Sequence, residues 1–290
     1  GARFKKKIGL VGAAISDYPY IDELAEELVK NDIKFSVSSL RADSLREPLM
    51  RGLRASGHKT LTIAPEAGSE RLRKVINKGI KEQHVLDSIK LAHEYNIENV
   101  KLYYIIGLPT ETVEDIQEMI EFISEIKKYM LSIGNKSGVL SISINPYIPK
   151  PFTPFQWYGM ESLQRINSKL KIIRNSLKPL GVRLIYESPR LSQIQSAFSR
   201  GDRLAGTLLY EIFKFEDKSA SYKKAQIQGK NIEFYAHRLL DKNMILPWDH
   251  INIGLKKDYF LSELEKAEKW ISTRRCTKEV CSVCNICMHK

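Results

Sequence analysis

Thr60-Leu61-Thr62-Ile63-Ala64-Pro65-Glu66-Ala67-Gly68-Ser69-Glu70-Arg71-Leu72-Arg73-Lys74-Val75-Ile76-Asn77-Lys78-Gly79 is the stretch whose reading decides the fold. Residues 60–63 make a short apolar run of strand length, Pro65 and Gly68 break it, and Leu72, Val75 and Ile76 then recur at the spacing of one helix face. The same strand, turn and helix pattern extends in both directions. Further strands are expected at 7–13, 35–40, 100–106 and 139–145. Helices between them are marked by Ile21, Leu24 and Leu28, by Val85, Ile89 and Ala92, and by Ile116, Met119, Ile120 and Ile123. Alternating β and α units predict an α/β protein with a mostly parallel sheet, which right-handed crossovers close into an open sheet or a partial barrel.

The chain has 290 residues, enough for one large domain or a domain with an appendage. Lys and Arg number 46 against 34 Asp and Glu, a formal net charge of +12, with 28% charged and 43% hydrophobic residues. That mix buries a core and excludes intrinsic disorder. The longest apolar runs, 102–108 and 139–144, fall far short of the roughly 20 residues a membrane span needs, and no apolar signal segment opens the sequence, which argues for the cytoplasm and against a membrane. Gly1 stands first, and residues 2–7 lead at once into Ile8-Gly9-Leu10-Val11, so the sequence reads as the inside of a longer protein.

The Pro-rich stretch 146–154 ends the pattern, because proline lacks the amide hydrogen of a central strand. Residues 1–155 are therefore read as the barrel core, 156–270 as an α-rich region, and 271–290 as a Cys-rich tail. Within the second region 160–180 reads as helix, 182–186 as one more strand, and 190–270 as mainly helix with a break at Leu246-Pro247-Trp248-Asp249-His250.

Ligands of such folds gather at the carboxyl ends of the strands. Those ends are rich in turn-forming and charged residues here: 12–17, 38–43, 64–71, 107–111 and 145–151. Gly107 permits close approach of backbone to ligand, and Thr112, followed by Asp115, reads as a helix N-cap. Glu66 is suited either to a ribose hydroxyl or ammonium, or to an ion pair with Arg71. His58, His84 and His93 share no metal spacing with a cysteine and read as surface residues, and His250 reads either as a structural anchor of the tail, the favoured reading, or as a substrate contact.

All four cysteines fall near the end, in Cys276-x4-Cys281-x2-Cys284-x2-Cys287. Two-residue gaps let thiolates converge on one centre, and four sulfurs complete either an iron-sulfur cluster or a tetrahedral zinc site. Arg274, Arg275 and Lys278 favour the thiolate form. The basic groups at 5–7, at Arg51 and Arg54, and at Arg71, Arg73 and Lys74, with a pI near 9.4, suit either solvated faces or an RNA footprint.

The run 60–79, followed by Lys101-Leu102-Tyr103-Tyr104-Ile105-Ile106-Gly107-Leu108-Pro109-Thr110-Glu111, closely resembles strands four and five of radical S-adenosylmethionine (SAM) enzymes, in the branch with methylthiotransferases and proteins carrying cobalamin-binding domains. The resemblance extends to 9–14 as strand two, 36–44 as strand three and 141–154 as strand six, and covers about the first 155 residues. The tail, with Leu246-Pro247-Trp248-Asp249-His250 and four cysteines, looks like the C-terminal extension of uncharacterised members.

What the resemblance implies is a partial (βα)6 TIM-like barrel, represented here by strands two to six, that holds a 4Fe-4S cluster and SAM and generates a 5′-deoxyadenosyl radical. Carried over by position, the backbone at Gly12, Ala13 and Ala14 meets the SAM amino group, and Ser39 and Arg41 lie near its polar end. Glu66 then faces the ribose or methionine moiety, Arg71 the carboxylate, and Gly107, Leu108 and Pro109 with Tyr147 the adenine. Two departures stand out. Tyr103 occupies a position usually small, and the C-x3-C-x2-C loop after strand one is absent, no cysteine preceding Cys276. The loop is expected upstream or on another polypeptide, with flavodoxin or ferredoxin as electron donor. Cys276, Cys281, Cys284 and Cys287 are expected to hold an auxiliary cluster or zinc, in a tail that does not reach the barrel mouth. RNA methylthiolation, cobalamin-assisted methylation and other radical chemistry all fit this resemblance. The alternative is a non-catalytic metal-binding module that binds RNA.

Overall fold

The computed structural model describes residues 7–12, 15–214, 222, 224–274 and 284. In chain order the elements are β1 (Lys7–Gly9), α1 (Ile21–Lys30), β2 (Lys34–Ser36), α2 (Glu47–Ala55), β3 (Thr60–Glu66), α3 (Glu70–Val75), α4 (Glu82–Glu94), β4 (Asn99–Ile106), α5 (Val113–Ser132), β5 (Leu140–Pro146), α6 (Leu163–Leu177) and β6 (Arg183–Tyr186). They continue with α7 (Pro189–Ser199), α8 (Arg203–Lys214), α9 (Ile232–His237) and α10 (Lys257–Glu268).

Every strand pairing is parallel. β1 pairs with β2, and β3 to β6 form a sheet in sequence order. The two sheets meet at a bridge between Leu40 and Ile63, where the Leu40 amide donates to the Thr62 carbonyl at 2.9 Å. The result is an α/β arc of parallel strands, a partial barrel. It contains one strand more than the resemblance implied. The prolines of 146–154 interrupt the chain but not the sheet: Pro146 is the last residue of β5, the others lie beyond it, α6 returns from them, and β6 pairs with β5 from Ser141↔Arg183 to Ile144↔Tyr186. The first two strands are shorter than the sequence suggested, ending at Gly9 and Ser36. Helix α2 was not marked by the sequence reading. Pro48 resembles a breaker there, yet it sits in the first turn, where its missing N–H has no intrahelical partner anyway.

Alternation along the strands gives the arc two different faces. Val100, Leu102, Tyr104 and Ile106 of β4 are buried, as are Leu61 and Ile63 of β3 and Leu140, Ile142 and Ile144 of β5, all within the main core beneath the helices. Lys101, Tyr103 and Ile105 point the other way and are half-buried. The register aligns Thr62, Lys101, Ser141 and Arg183 in one row across the concave face, and Tyr103, Ser143 and Ile185 in the next. A parallel sheet covered on both faces would show unbroken apolar strands; this one is covered on its convex face and presents a polar concave face.

A second core lies over the carboxyl ends of the strands. Leu72, Val75, Leu108, Phe155 and Trp157 pack there with Leu246, Trp248, Phe260, Leu264 and Ala267. The indole N–H of Trp248 donates to Gln156 Oε1 at 2.7 Å, which ties the Leu246–His250 break to the Pro-rich loop. A third cluster joins α7, α8 and α9. No helix among the described residues is long and apolar enough to cross a membrane.

Candidate functional site

The carboxyl ends of β3, β4 and β5 carry backbone that ordinary residues avoid. Glu66 has φ +70°, Thr110 +67° and Phe152 +56°, all in the left-handed region, and Gly107 has +77°. For Thr110, which is β-branched, and for Glu66 this conformation costs about 1–3 kcal/mol and persists only where the surroundings impose it. At β3 the cause is a register shift between Ile63 and Glu66, which turns the carboxylate out of the ladder and toward Lys78, whose Nζ lies 3.2 Å from Glu66 Oε1.

Three cavities open at this end. A pocket of about 500 Å³ lies over the concave face and includes Ser39, Glu66, Tyr103, Asn145, Tyr147 and Lys150 in its lining. A neighbouring, more apolar cavity of about 390 Å³ includes Glu66, Ile105, Leu108, Tyr147, Phe155 and Ile271. A polar cleft of about 650 Å³ includes Asp17, Arg41, Asp43, Arg46, Lys78 and Thr273. Glu66 and Tyr147 belong to both of the first two cavities, and Lys78 to both of the last two. Burial pushes the Tyr147 hydroxyl well above the usual phenol range, so it is a neutral donor at physiological pH.

The loop after β4 is clamped from below. Glu111 Oε1 accepts from the Gly107 amide at 2.8 Å and from Lys169 Nζ at 2.6 Å, and the same ammonium reaches Glu161 Oε2 at 2.8 Å. Burial raises the Glu111 carboxyl above its ordinary value, against the pull of Lys169 and of the amide. Gly107 is required twice over: its φ is positive, and a Cβ there would lie 2.6 Å from Ile166 Cδ1. A second clamp is built on Asp115 at the start of α5. Its carboxylate accepts from the Arg71 guanidinium, from the Ser69 hydroxyl, and from the Thr112 amide at 2.8 Å.

Of the residues the sequence singled out, Ser39, Glu66, Leu108 and Tyr147 are brought together around the two connected cavities. Gly107 and Pro109 flank Leu108 as backbone support. Arg41 lines the adjoining cleft, paired with Asp43 at 2.9 Å. Gly12 lies in the exposed loop after β1, and Ala13 and Ala14 lie outside the described residues. Arg71 is not brought to the cavities: it bonds Asp115 and the Thr110 carbonyl, and its guanidinium lies 5.0 Å over the ring of Trp270. It therefore locks α3 to α5 rather than facing a ligand.

Other expectations change. Arg73 is 1% exposed and holds the Ala67 and Gly68 carbonyls and Glu82, so the Arg71, Arg73 and Lys74 group is not a solvated basic face. His58, His84 and His93 are half-buried; His58 Nε2 lies 3.1 Å from the Phe35 carbonyl, and His84 Nδ1 accepts from the Lys81 amide at 3.2 Å. Cys276, Cys281 and Cys287 lie outside the described residues, and Cys284 is half-buried and forms no disulfide among the described residues. Among the described residues no group of three or more His, Cys, Asp or Glu is placed to hold a metal. The first residues of the 271–290 tail line the barrel mouth, Ser272 and Thr273 at the polar cleft and Ile271 and Thr273 at the apolar cavity, while the expectation that the cysteines stay away from the mouth falls on residues outside those described, apart from Cys284. Sequence reasoning missed Asp115 as a hub, whose only signal was the Thr112-x-x-Asp115 cap, and missed Lys169 and Glu161 altogether.

Residues 1–123 match the model of the Radical SAM superfamily, so a radical SAM domain is present in this part of the chain. The uncharacterized protein MJ0966 of Methanocaldococcus jannaschii is 38% identical over 240 residues, 83% of this chain and 51% of that protein. The uncharacterized methyltransferase PH0819 of Pyrococcus horikoshii is 30% identical over 95 residues, 33% of this chain and 20% of that protein. The chain thus spans about half the length of the first relative and less of the second. Among solved structures, coproporphyrinogen III oxidase (HemN) from Escherichia coli, a radical SAM enzyme, aligns with a TM-score of 0.44 at 15% identity, covering 61% of this chain and 41% of that one. The family implies SAM and a 4Fe-4S cluster as cofactors. The mouth residues fit SAM: an apolar cavity for a flat base meets, at a strained glutamate, a mixed pocket whose Ser39, Asn145 and Lys150 can hold hydroxyls and a charged end.

Proposed function

We infer that this chain is the barrel and C-terminal part of a radical SAM enzyme, and that it binds SAM across the mouth of the barrel. The observation that carries the reading is Glu66, a carboxylate held in left-handed backbone where the more apolar cavity meets a mixed pocket that also holds Ser39, Asn145 and Lys150. A ligand crossing that junction needs a flat apolar end, hydroxyls in the middle and a zwitterionic end. SAM has that order. Leu108 and Tyr147 then enclose the adenine, Glu66 accepts from the ribose hydroxyls, and Ser39 and Lys150 face the methionine end, with Arg41 approaching from the cleft side.

Reductive cleavage of SAM by a 4Fe-4S cluster supplies a 5′-deoxyadenosyl radical for hydrogen abstraction. This chain contributes binding, orientation and exclusion of water. The ligands of that cluster are assigned to a C-x3-C-x2-C segment upstream or on another polypeptide, its electron to flavodoxin or ferredoxin, and the cysteines Cys276, Cys281, Cys284 and Cys287 to an auxiliary cluster. Oxidation and methyl or methylthio transfer are the reaction classes open to it.

The test is production of 5′-deoxyadenosine from SAM by the full-length protein, reconstituted and reduced without oxygen. Product is expected, with Glu66→Gln weakening SAM affinity about tenfold through loss of a charged acceptor. Absence of 5′-deoxyadenosine from the reconstituted protein overturns the reading.

A further inference from the structure

The apolar cavity is not closed by the barrel alone. Its barrel side is Ile105, Leu108 and Tyr147; its far side comes from the C-terminal region, as Glu263 and Ala267 of α10 and then Ile271 and Thr273. The turn between them is built for that purpose. Ile271 donates its amide to the Lys266 carbonyl at 2.8 Å, Trp270 takes φ +60°, and the chain doubles back over the mouth. It is then pinned on both sides. The Thr273 amide donates to Asn77 Oδ1 at 3.1 Å, a contact across 196 residues of sequence, and the Thr273 hydroxyl donates to Glu263 Oε2 at 2.6 Å. Lys266 Nζ donates to the other oxygen of Glu263 at 2.6 Å, and Arg71 lies 5.0 Å over the ring of Trp270. Asn77 itself sits just past α3 with φ +53°, presenting its side chain from the opposite bank.

A short exposed segment does not acquire that many tethers from apolar burial, since Trp270 and Ile271 remain 52% and 53% exposed. The tethers fix the position of the segment against the cavity. We propose that residues 267–273 are a wall of the nucleoside site, with Ile271 and Ala267 contacting the base of SAM and Thr273, through Asn77 and Glu263, holding them in place. The inference rests on the reading that this mouth binds SAM. It assigns base recognition jointly to the barrel and to the C-terminal region, outside residues 1–123 that match the family model. The same strap of chain borders the polar cleft: Ser272 lines the cleft, Ile271 the cavity, and Thr273 both.

S-adenosylhomocysteine and 5′-methylthioadenosine, which share the nucleoside and differ in the amino-acid end, are the probes, titrated calorimetrically into the full chain. Ile271→Trp fills the cavity from an exposed position and leaves the buried core alone. Both probes are expected to bind it about tenfold more weakly than the unaltered chain, and by the same factor, because the lost space is the base's. Thr273→Pro removes the N–H donated to Asn77 and is expected to weaken both by a smaller factor. Ile172→Trp, on the exposed side of α6, is expected to change neither. If the unaltered chain binds and Ile271→Trp binds within about twofold of it, the inference falls alone. A loss confined to S-adenosylhomocysteine also overturns it, because the wall would then touch the amino-acid end. If the unaltered chain binds neither probe, the inference falls together with the reading it rests on.

Discussion

Asp115 is a buried carboxylate, with a side chain 3% exposed, that accepts hydrogen bonds from Arg71, Ser69 and Thr112. Burial alone would raise its carboxyl; the donors outweigh burial and hold it below the ordinary value. The sign of the linkage follows. A carboxyl depressed in the folded state contributes stability that is fully present above its unfolded value near 3.9 and is lost as pH falls through its folded value. Asp115→Asn keeps the shape and removes the charge, leaving Arg71 without its partner. It is expected to lower stability by about 2 kcal/mol at neutral pH, the scale of a charged hydrogen bond, and the gap to the unaltered protein is expected to close as pH falls below about 3.9. Urea unfolding from pH 7 to pH 3 measures this; a gap independent of pH removes the electrostatic account. Residues such as Glu66, Leu108 and Tyr147 were legible in the sequence because strand ends and turn residues mark the rim of an α/β fold. Asp115 read only as a cap, since Arg71 lies 44 positions away and nothing local marks the pair. Arg71 misled for the same reason: a positive charge on the rim is visible in sequence, but the partner that consumes it is not.

At the scale of elements, periodicity marked the strands of the arc and most of its helices. It failed where a residue's local preference conflicts with its position. Pro48 concealed α2, and the prolines after β5 suggested that the sheet had ended before β6 joined it. The cross-element clamp at Lys169 was invisible, because its partners Glu111 and Glu161 come from the β4–α5 loop and from the residue two before α6. That clamp decides how the loop 107–111 is held. One buried ammonium neutralises two carboxylates while Glu111 also fixes the Gly107 amide. Lys169→Met replaces the ammonium with an apolar chain of similar length and leaves Glu111 and Glu161 buried against each other. Removing one partner of a buried ionic group is expected to cost about 3–5 kcal/mol, read as a fall in the urea midpoint at unchanged slope. Lys169→Arg keeps the charge and is expected to recover part of the loss. A cost under about 1 kcal/mol for Lys169→Met, the range of an exposed ion pair, would mean that water reaches the site and the clamp is not dry.

For the molecule as a whole, the C-terminal region is less an appendage than a cover for the barrel mouth. Phe155, Trp157, Trp248, Phe260 and Leu264 form its own core over the strand ends, each worth roughly 1.5–3 kcal/mol when fully buried. The α10 helix then delivers Thr273 to Asn77. From Thr273 the chain has three residues to Cys276, a reach of at most about 11 Å at full extension. The cysteine motif thus begins three residues past the contact with Asn77, a link between tail and barrel that no spacing argument within the tail reveals. Four thiolates at C-x4-C-x2-C-x2-C suit an iron-sulfur cluster. Metal analysis of anaerobically prepared chain is expected to give about four irons and four sulfides, both lost when Cys276, Cys281, Cys284 and Cys287 are all changed to Ser. One zinc without sulfide would instead make the tail a structural clasp on the strap. In that case removal of the zinc by a chelator should loosen residues 271–273, seen as faster hydrogen exchange at the Thr273 amide, while the strands of the barrel keep their protection.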